Sequence, residues 1–317
     1  MAVKTRLTDN VLARIVSQYD IGTYKSSKPF KEGYVQTNIL IITDRGKHVL
    51  RYYEEKNKET VMFEAELLEH LSNHDYPCTM PIKNRSGDII GMHNNKPYII
   101  FSYIPGRHIK NINSIQLYDM VKHLAMLHNT TKGYKPAYHE TRQPRTKEFC
   151  LNEAMTESKR FKDTKEGRYR LYYIKEKLNT IRLPTNLPKG IIHGDFDSNN
   201  IKFRGNNITG ILDFDDATYA ILIYDIGMML LYWTRFYLKT FNHEKARSII
   251  RVYEKYRPLT RIERRHIYDA LQLHALMIMA WLMYDKWKGK DLFIILAGII
   301  EELESIGREE YYNKLFG

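Results

Sequence analysis

A chain of 317 residues, 43% hydrophobic and 27% charged, is long enough to bury full cores and is too apolar for a disordered or fibrous protein. Two cysteines, Cys78 and Cys150, exclude a disulfide framework, and the longest apolar run, Ala275 to Tyr284, is too short to span a bilayer. The net charge of +12 is spread along the chain and interleaved with acids, so neither a nucleic-acid partner nor a membrane partner is expected. The first ten residues carry no apolar leader, and the expected location is cytoplasmic.

The chain opens on a helix from Thr8, with Leu12, Ile15 and Val16 on one face. Phe30–Thr43 and a run from Lys47 to Tyr53 predict two strands joined by a turn at Asp44-Arg-Gly46. Lys58–Asn73 predicts a helix whose apolar face is Val61, Phe63, Ala65, Leu67, Leu68 and Leu71. A strand near Ile89 and another over Tyr98–Ile104 follow, ending at the chain-reversing Pro105-Gly106. The rest is mostly helical, with helices over Ile115–His128, Lys147–Phe161, Arg168–Thr180, Ile226–Leu238, Glu244–Tyr256, Ile262–Lys286 and Asp291–Glu304. A short strand pair in their midst carries a polar loop. The fold class is α+β, with residues 1–103 forming a small antiparallel sheet plus one helix and residues 104–317 forming a larger helical part.

The polar loop is the most informative stretch. In Ile191-Ile-His-Gly-Asp-Phe-Asp-Ser-Asn-Asn-Ile201, an apolar run delivers His193 and Asp195 to a turn, and Asn200 follows at a fixed offset. A second apolar run, Ile208 to Leu212, ends at Asp213. One carboxylate to accept a hydroxyl proton, and an Asn with a second carboxylate to hold Mg²⁺ against phosphates, is the equipment for moving the γ-phosphoryl of ATP. Asp and Asn are also common turn residues. The His-Gly-Asp tripeptide, the offset to Asn200 and the strand feeding Asp213 together favour phosphotransfer. Asp195 is then the catalytic base, Asn200 and Asp213 are the metal ligands, and His193 pins the loop. Asp225 either caps its helix or braces the loop.

The nucleotide would be held by the earlier half of the chain. The turn around Gly33 and Tyr34, running to Asn38, can present backbone N–H groups to phosphate. Arg51 stands where a kinase keeps its phosphate-binding cation, and Glu64 or Glu66 on the inserted helix would fix it as an ion pair. Backbone groups of Ser102, Tyr103 and Ile104 would meet the adenine edge. On the acceptor side, Asp197, Asp215 and Asp216 flank the base and the metal ligand, which predicts an excess of negative charge and a preference for an amine-bearing substrate.

His193-Gly-Asp195, Asn200, Leu212-Asp213-Phe214 and Tyr224-Asp225 resemble the aminoglycoside phosphotransferase and choline kinase superfamily, over nearly the whole chain. Gln18-Tyr-Asp-Ile-Gly22, Glu32-Gly33 with Asn38, and Arg257-Pro-Leu-Thr260 most resemble the bacterial homoserine kinases of that fold. The resemblance implies a two-lobed protein-kinase-like fold, use of ATP and Mg²⁺, and a small-molecule hydroxyl acceptor. Homoserine or a related amino alcohol leads; an aminoglycoside or other antibiotic, a choline-like alcohol and a methylthioribose-like sugar are the alternatives. A non-catalytic nucleotide-binding scaffold is the rival of another class, and the intact Asp195, Asn200 and Asp213 weigh against it. The chain departs from homoserine kinases in its acidic Asp215-Asp216 pair and in Met277, Met279 and Met283, where the resemblance would place basic residues. A substrate carboxylate needs a cation, and Lys202, Arg204 and Arg235 are the candidates. The sequence sets no oligomeric state.

Overall fold

The computed structural model describes residues 5–30, 35–161, 163–284, 286–287 and 290–317. In chain order the elements are α1 (Asp9–Val16), β1 (Tyr24–Pro29), β2 (Thr37–Thr43), β3 (Gly46–Tyr52), α2 (Lys58–Ser72), β4 (Gly91–His93) and β5 (Lys96–Ser102). Then come α3 (Ser114–Thr130), α4 (Lys147–Ser158), α5 (Lys165–Thr180), β6 (Lys189–Ile192), β7 (Ile201–Arg204), β8 (Asn207–Ile211) and β9 (Thr218–Ile221). The chain continues as α6 (Ile223–Leu231), α7 (His243–Tyr256), α8 (Arg261–Arg264), α9 (Ile267–Trp281), α10 (Leu292–Ile306) and α11 (Arg308–Phe316).

These elements form two compact units. The first takes Met1–Ile112, Lys135–Arg142 and Ser198–Asp215. Its antiparallel sheet has the order β1-β2-β3-β5-β4. Strand β2 alternates buried and half-buried residues, so Ile39 and Ile41 point to a core shared with Leu12, Val16, Leu50, Tyr98 and Ile100. Helix α2 is capped by Asn57, whose side chain accepts the Thr60 N–H, and it buries Glu64 among its apolar residues. The β7–β8 hairpin belongs to this unit and pairs Ile201 with Ile211.

The second unit takes Asn113–Tyr134, Gln143–Asp197 and Asp216–Gly317. Here β6 pairs antiparallel with β9, and α6 and α9 are buried almost throughout. Gly227 lets those two helices touch: a Cβ there would lie 2.6 Å from the backbone of Ala270 and Leu271. The end of α6 widens into a π-helical turn, Tyr232–Phe236. Among the described residues, no helix is long and apolar enough to cross a membrane.

Several elements differ from expectation for visible reasons. Strand β1 carries no strand signal in the sequence, because Tyr-Lys-Ser-Ser-Lys-Pro has no apolar alternation; it is an edge strand ending in proline. The strand expected near Ile89 begins at Gly91. Four strands, not two, carry the polar loop. The helix expected over 262–286 is split, because Thr260 and Glu263 close a capping box around the short α8 before α9 begins. Helix α11 extends the helical part beyond the last helix expected, over Asp291–Glu304.

Candidate active site

In the first unit, Arg51 is the centre of a charged cluster. Asn38 and Arg51 are cross-strand partners on β2 and β3, and the Asn38 side chain accepts from Arg51 Nε at 3.1 Å. Arg51 Nη1 lies 3.1 Å from both Glu64 Oε1 and Asp213 Oδ1. Burial opposes the Arg51 charge, but Asp213 and then Glu64 outweigh it, and the guanidinium is held more firmly protonated than usual. Glu64, not Glu66, is the helix partner; Glu66 accepts the Ala137 N–H instead. Asn38 thus orients Arg51. Gly33 and Tyr34 lie outside the described residues.

The hairpin register explains why Asn200 and Asp213 come together. Leu212 N–H donates to the Asn200 carbonyl at 2.8 Å, just beyond the Ile201–Ile211 pair. Asp213 then takes a left-handed φ of +62°, a conformation that Asp tolerates better than most residues. The following residues are clamped. Arg142 donates to the carbonyls of Phe214 and Asp215, and its guanidinium lies 4.8 Å from the Phe63 ring centre. Lys56 Nζ sits 2.5 Å from Asp215 Oδ1, and Gln36 Nε2 donates to the other oxygen at 3.3 Å. Burial opposes the Asp215 charge, but Lys56 and then Arg51 hold its carboxyl below the ordinary range.

The segment proposed for the adenine edge is partly engaged. Ser102 N–H donates to the Met80 carbonyl at 2.9 Å, and the Ile104 carbonyl accepts from Lys202 Nζ at 3.2 Å. The Lys202 ammonium also lies 4.9 Å from the Tyr103 ring centre.

In the second unit, Asp195 sits on a loop braced from below. The N–H groups of His193 and Gly194 donate to Asp225 Oδ2 and Oδ1 at 2.7 and 3.0 Å. The Asp195 N–H donates to His193 Nδ1 at 3.3 Å. Asp225 is fully buried; burial penalises its charge, but His128 and the His193 amide outweigh this and lower its pKa. The network continues outward. His128 Nε2 meets Asp225 at 3.3 Å and its Nδ1 meets Tyr253 Oη at 2.6 Å. Arg257 donates to Tyr253 Oη and, at 2.7 Å, to Glu263, which closes the capping box with Thr260. Arg257-Pro-Leu-Thr260 is therefore the far end of the brace that holds the Asp195 loop. Asp225 braces the loop rather than capping α6.

Asp216 is paired with Arg145, Nη2 to Oδ1 at 3.1 Å, and Asp197 is buried with its N–H donating to the Asp195 carbonyl at 3.0 Å. Asp215 and Asp216 are thus each neutralised within their own units, and the expected excess of negative charge at these two positions is absent. Of the expected carboxylate-binding cations, Arg235 is held by Glu302 and the Leu238 carbonyl. Lys56, Arg142, Arg145 and Tyr253 carry no mark in the sequence. Each meets its partner, Asp215, Asp216 or His128, at least 71 positions away along the chain, so no local spacing points to it.

The phosphotransferase enzyme family model matches residues 26–259. A homoserine kinase of Rhodospirillum rubrum is 31% identical, over 83% of this chain and 81% of its own length. One of Phenylobacterium zucineum is 30% identical over the same shares. Among solved structures, an amicoumacin kinase in complex with AMP-PNP, Ca²⁺ and Ami aligns with a TM-score of 0.65 at 18% identity, covering 94% of this chain and 93% of that one. A microcompartment-associated aminopropanol kinase aligns at 0.64 and 13% identity, covering 96% and 99%. These likenesses show the fold, α+β with an antiparallel N-terminal sheet and a helical remainder, and the match to the family model and to relatives of this identity shows the descent: the chain belongs to the phosphotransferase enzyme family and is a small-molecule kinase.

Proposed function

We propose that the protein transfers the γ-phosphoryl of ATP to the side-chain hydroxyl of homoserine or a closely related amino alcohol. The observation that carries this reading is the Asp195 loop, braced by Asp225 through two backbone N–H bonds, in a chain whose relatives are homoserine kinases. The Asp195 carboxylate takes the hydroxyl proton as the acceptor oxygen bonds to the γ-phosphorus and the bond to the β–γ bridging oxygen breaks, releasing ADP. Arg51, kept charged and oriented by Asn38 and Glu64, binds the phosphates.

Among the described residues, no three His, Cys, Asp or Glu side chains form a metal cage. Mg²⁺ does not need one, since it is commonly held by one or two carboxylates plus phosphate oxygens. Asp213, with a side chain 43% exposed, and Asn200 beside it fit that pattern. When bound, the ion would neutralise charge on the phosphate oxygens. The pairing of Asp215 with Lys56 and of Asp216 with Arg145 argues against a polycationic antibiotic as acceptor, because those carboxylates are already satisfied.

The test is steady-state phosphotransfer to L-homoserine at saturating ATP and Mg²⁺. Asp195→Asn should fold normally and lose roughly 10²–10⁴ in kcat, and Asp213→Ala should abolish turnover. Near-wild-type kcat in either variant overturns the reading.

A further inference from the structure

We propose that Arg145, with Tyr224 and His274 beside it, is the subsite for a carboxylate on the acceptor, so that the enzyme selects hydroxyl-bearing carboxylic acids over plain amino alcohols. The inference rests on the phosphotransfer reading above and names what that site recognises.

The Arg145 guanidinium is ion-paired but only partly hydrogen-bonded. Arg145 precedes α4 and is 3% exposed. Its Nη2 bonds to the carbonyl and carboxylate of Asp216. Its face lies 4.8 Å from the Trp281 ring centre on α9. Its Nε and Nη1, which carry three of the five N–H donors of the group, have no hydrogen-bond partner among the described residues. An arginine kept only as a brace would spend those donors on carbonyls. Burying them unpaired is costly.

The neighbours show the same deficit. Both ring nitrogens of His274 and the hydroxyl of Tyr224 are buried without a partner among the described residues, and the two rings meet edge to face at 5.1 Å. Burial, and then the Arg145 charge, push His274 down to about 3, so the ring is neutral and brings one N–H donor. Burial raises the Tyr224 phenol, with the Arg145 charge offsetting part of it, so its hydroxyl stays a donor. A permanent cation and two neutral donors, all in want of acceptors, match the lone pairs of a carboxylate.

The subsite adjoins the base. The backbone of Asp216, Arg145's partner, packs so closely on Gly194 that a Cβ there would lie 2.6 Å from the Asp216 carbonyl. The Tyr232 ring packs on His274 at 5.5 Å, and its phenol is raised by burial and then by the charge of Asp195. Tyr232 opens the π-helical turn, a local distortion common at functional sites. Helix α9 supplies methionines where a cation was expected, and Arg145 lays its own cation against that helix.

The experiment compares L-homoserine with homoserinol, in which a hydroxymethyl group replaces the carboxylate, in the wild type and in Arg145→Gln. The wild type should prefer homoserine. Arg145→Gln should raise the homoserine KM roughly 10- to 100-fold, the worth of one charge-assisted pair, and leave the KM of homoserinol and of ATP unchanged. Equal losses on both acceptors would assign Arg145 to structure alone and overturn the proposal, as would an unchanged homoserine KM. A wild type that turns over homoserinol as well as homoserine also overturns it, while the phosphotransfer reading stands. A wild type that turns over ATP with no hydroxyl acceptor brings down both. Should Arg145→Gln not fold, the wild-type protein alone gives the answer: homoserine should raise its melting midpoint at concentrations where homoserinol does not, and equal shifts refute the subsite.

Discussion

Replacing Gly194 with alanine adds a single methyl group to the loop that carries Asp195. Gly194 has φ +79°, a region that costs an L-residue about 1–2 kcal/mol. The new Cβ would meet the Asp216 carbonyl oxygen at 2.6 Å and its carbon at 3.2 Å, both backbone atoms that cannot swing aside like a flexible side chain. Relieving such overpacking costs a further 1–3 kcal/mol or so, giving a total of about 2–5 kcal/mol. The Gly194 N–H is tied to buried Asp225, so the displacement passes to the next residue, Asp195. A shift of about 1 Å in a positioned reacting group costs on the order of 10²-fold. The assay is ADP release at saturating ATP and homoserine, run beside a thermal melt. The expected result is a kcat lowered by about 10² with a lower melting midpoint and an unchanged ATP KM, because Arg51, Asn38 and Glu64 belong to the other unit. A wild-type kcat with an unmoved midpoint refutes the account of the loop.

Arg51→Met should raise the ATP KM and cost about 3–5 kcal/mol, because Glu64, 1% exposed, is left as a buried unpaired charge. Adding Glu64→Leu should return much of the stability but none of the ATP affinity; an unchanged ATP KM in the single variant would remove Arg51 from phosphate binding. His274 has a folded pKa of about 3, below the ordinary 6.5 or so, so the unfolded chain binds a proton that the folded one refuses. Its contribution is complete above about pH 6.5 and is lost as pH falls towards about 3, at about 1.4 kcal/mol per pH unit. Urea midpoints should therefore drop less between pH 7 and pH 5 in His274→Gln than in the wild type, and equal drops refute the assignment.

What could be read along the chain was whatever is local. The apolar face of α2 is buried as its periodicity predicts, with Val61, Phe63, Leu67, Leu68 and Leu71 inside, and the β2–β3 hairpin turns at Asp44–Arg45. The loop motif was legible because its residues are close in sequence: His193, Gly194 and Asp195 adjoin, and Asn200 and Leu212 are brought together by one hairpin. The supporting charges were not legible. Lys56 reaches Asp215 across 159 positions and Arg142 reaches it across 73, and nothing in composition or spacing joins such pairs. The same holds for the acidic run Asp215-Asp216, which reads as a patch of negative charge until its two cations are placed. Strand β1 was missed because an edge strand needs no apolar face, and the π-helical turn because a widened turn leaves no mark on a helical pattern.

The Arg51 cluster shows how one cation could serve both structure and the proposed phosphate binding. Its two carboxylate partners lie at the same distance, 3.1 Å, but differ in surroundings: the Glu64 side chain is 1% exposed and that of Asp213 is 43% exposed. Separating Arg51 from Glu64 would strand a buried charge, whereas separating it from Asp213 leaves a carboxylate that water can solvate. On the proposed reading, an incoming phosphate would displace Asp213 rather than Glu64. That exchange would keep Arg51 neutralised throughout, and it would free Asp213, already set at φ +62° beside Asn200, for the divalent ion proposed to accompany the nucleotide. Glu64 and Asn38 fix where the guanidinium points, and Asp213 would hold its binding edge until a nucleotide bound.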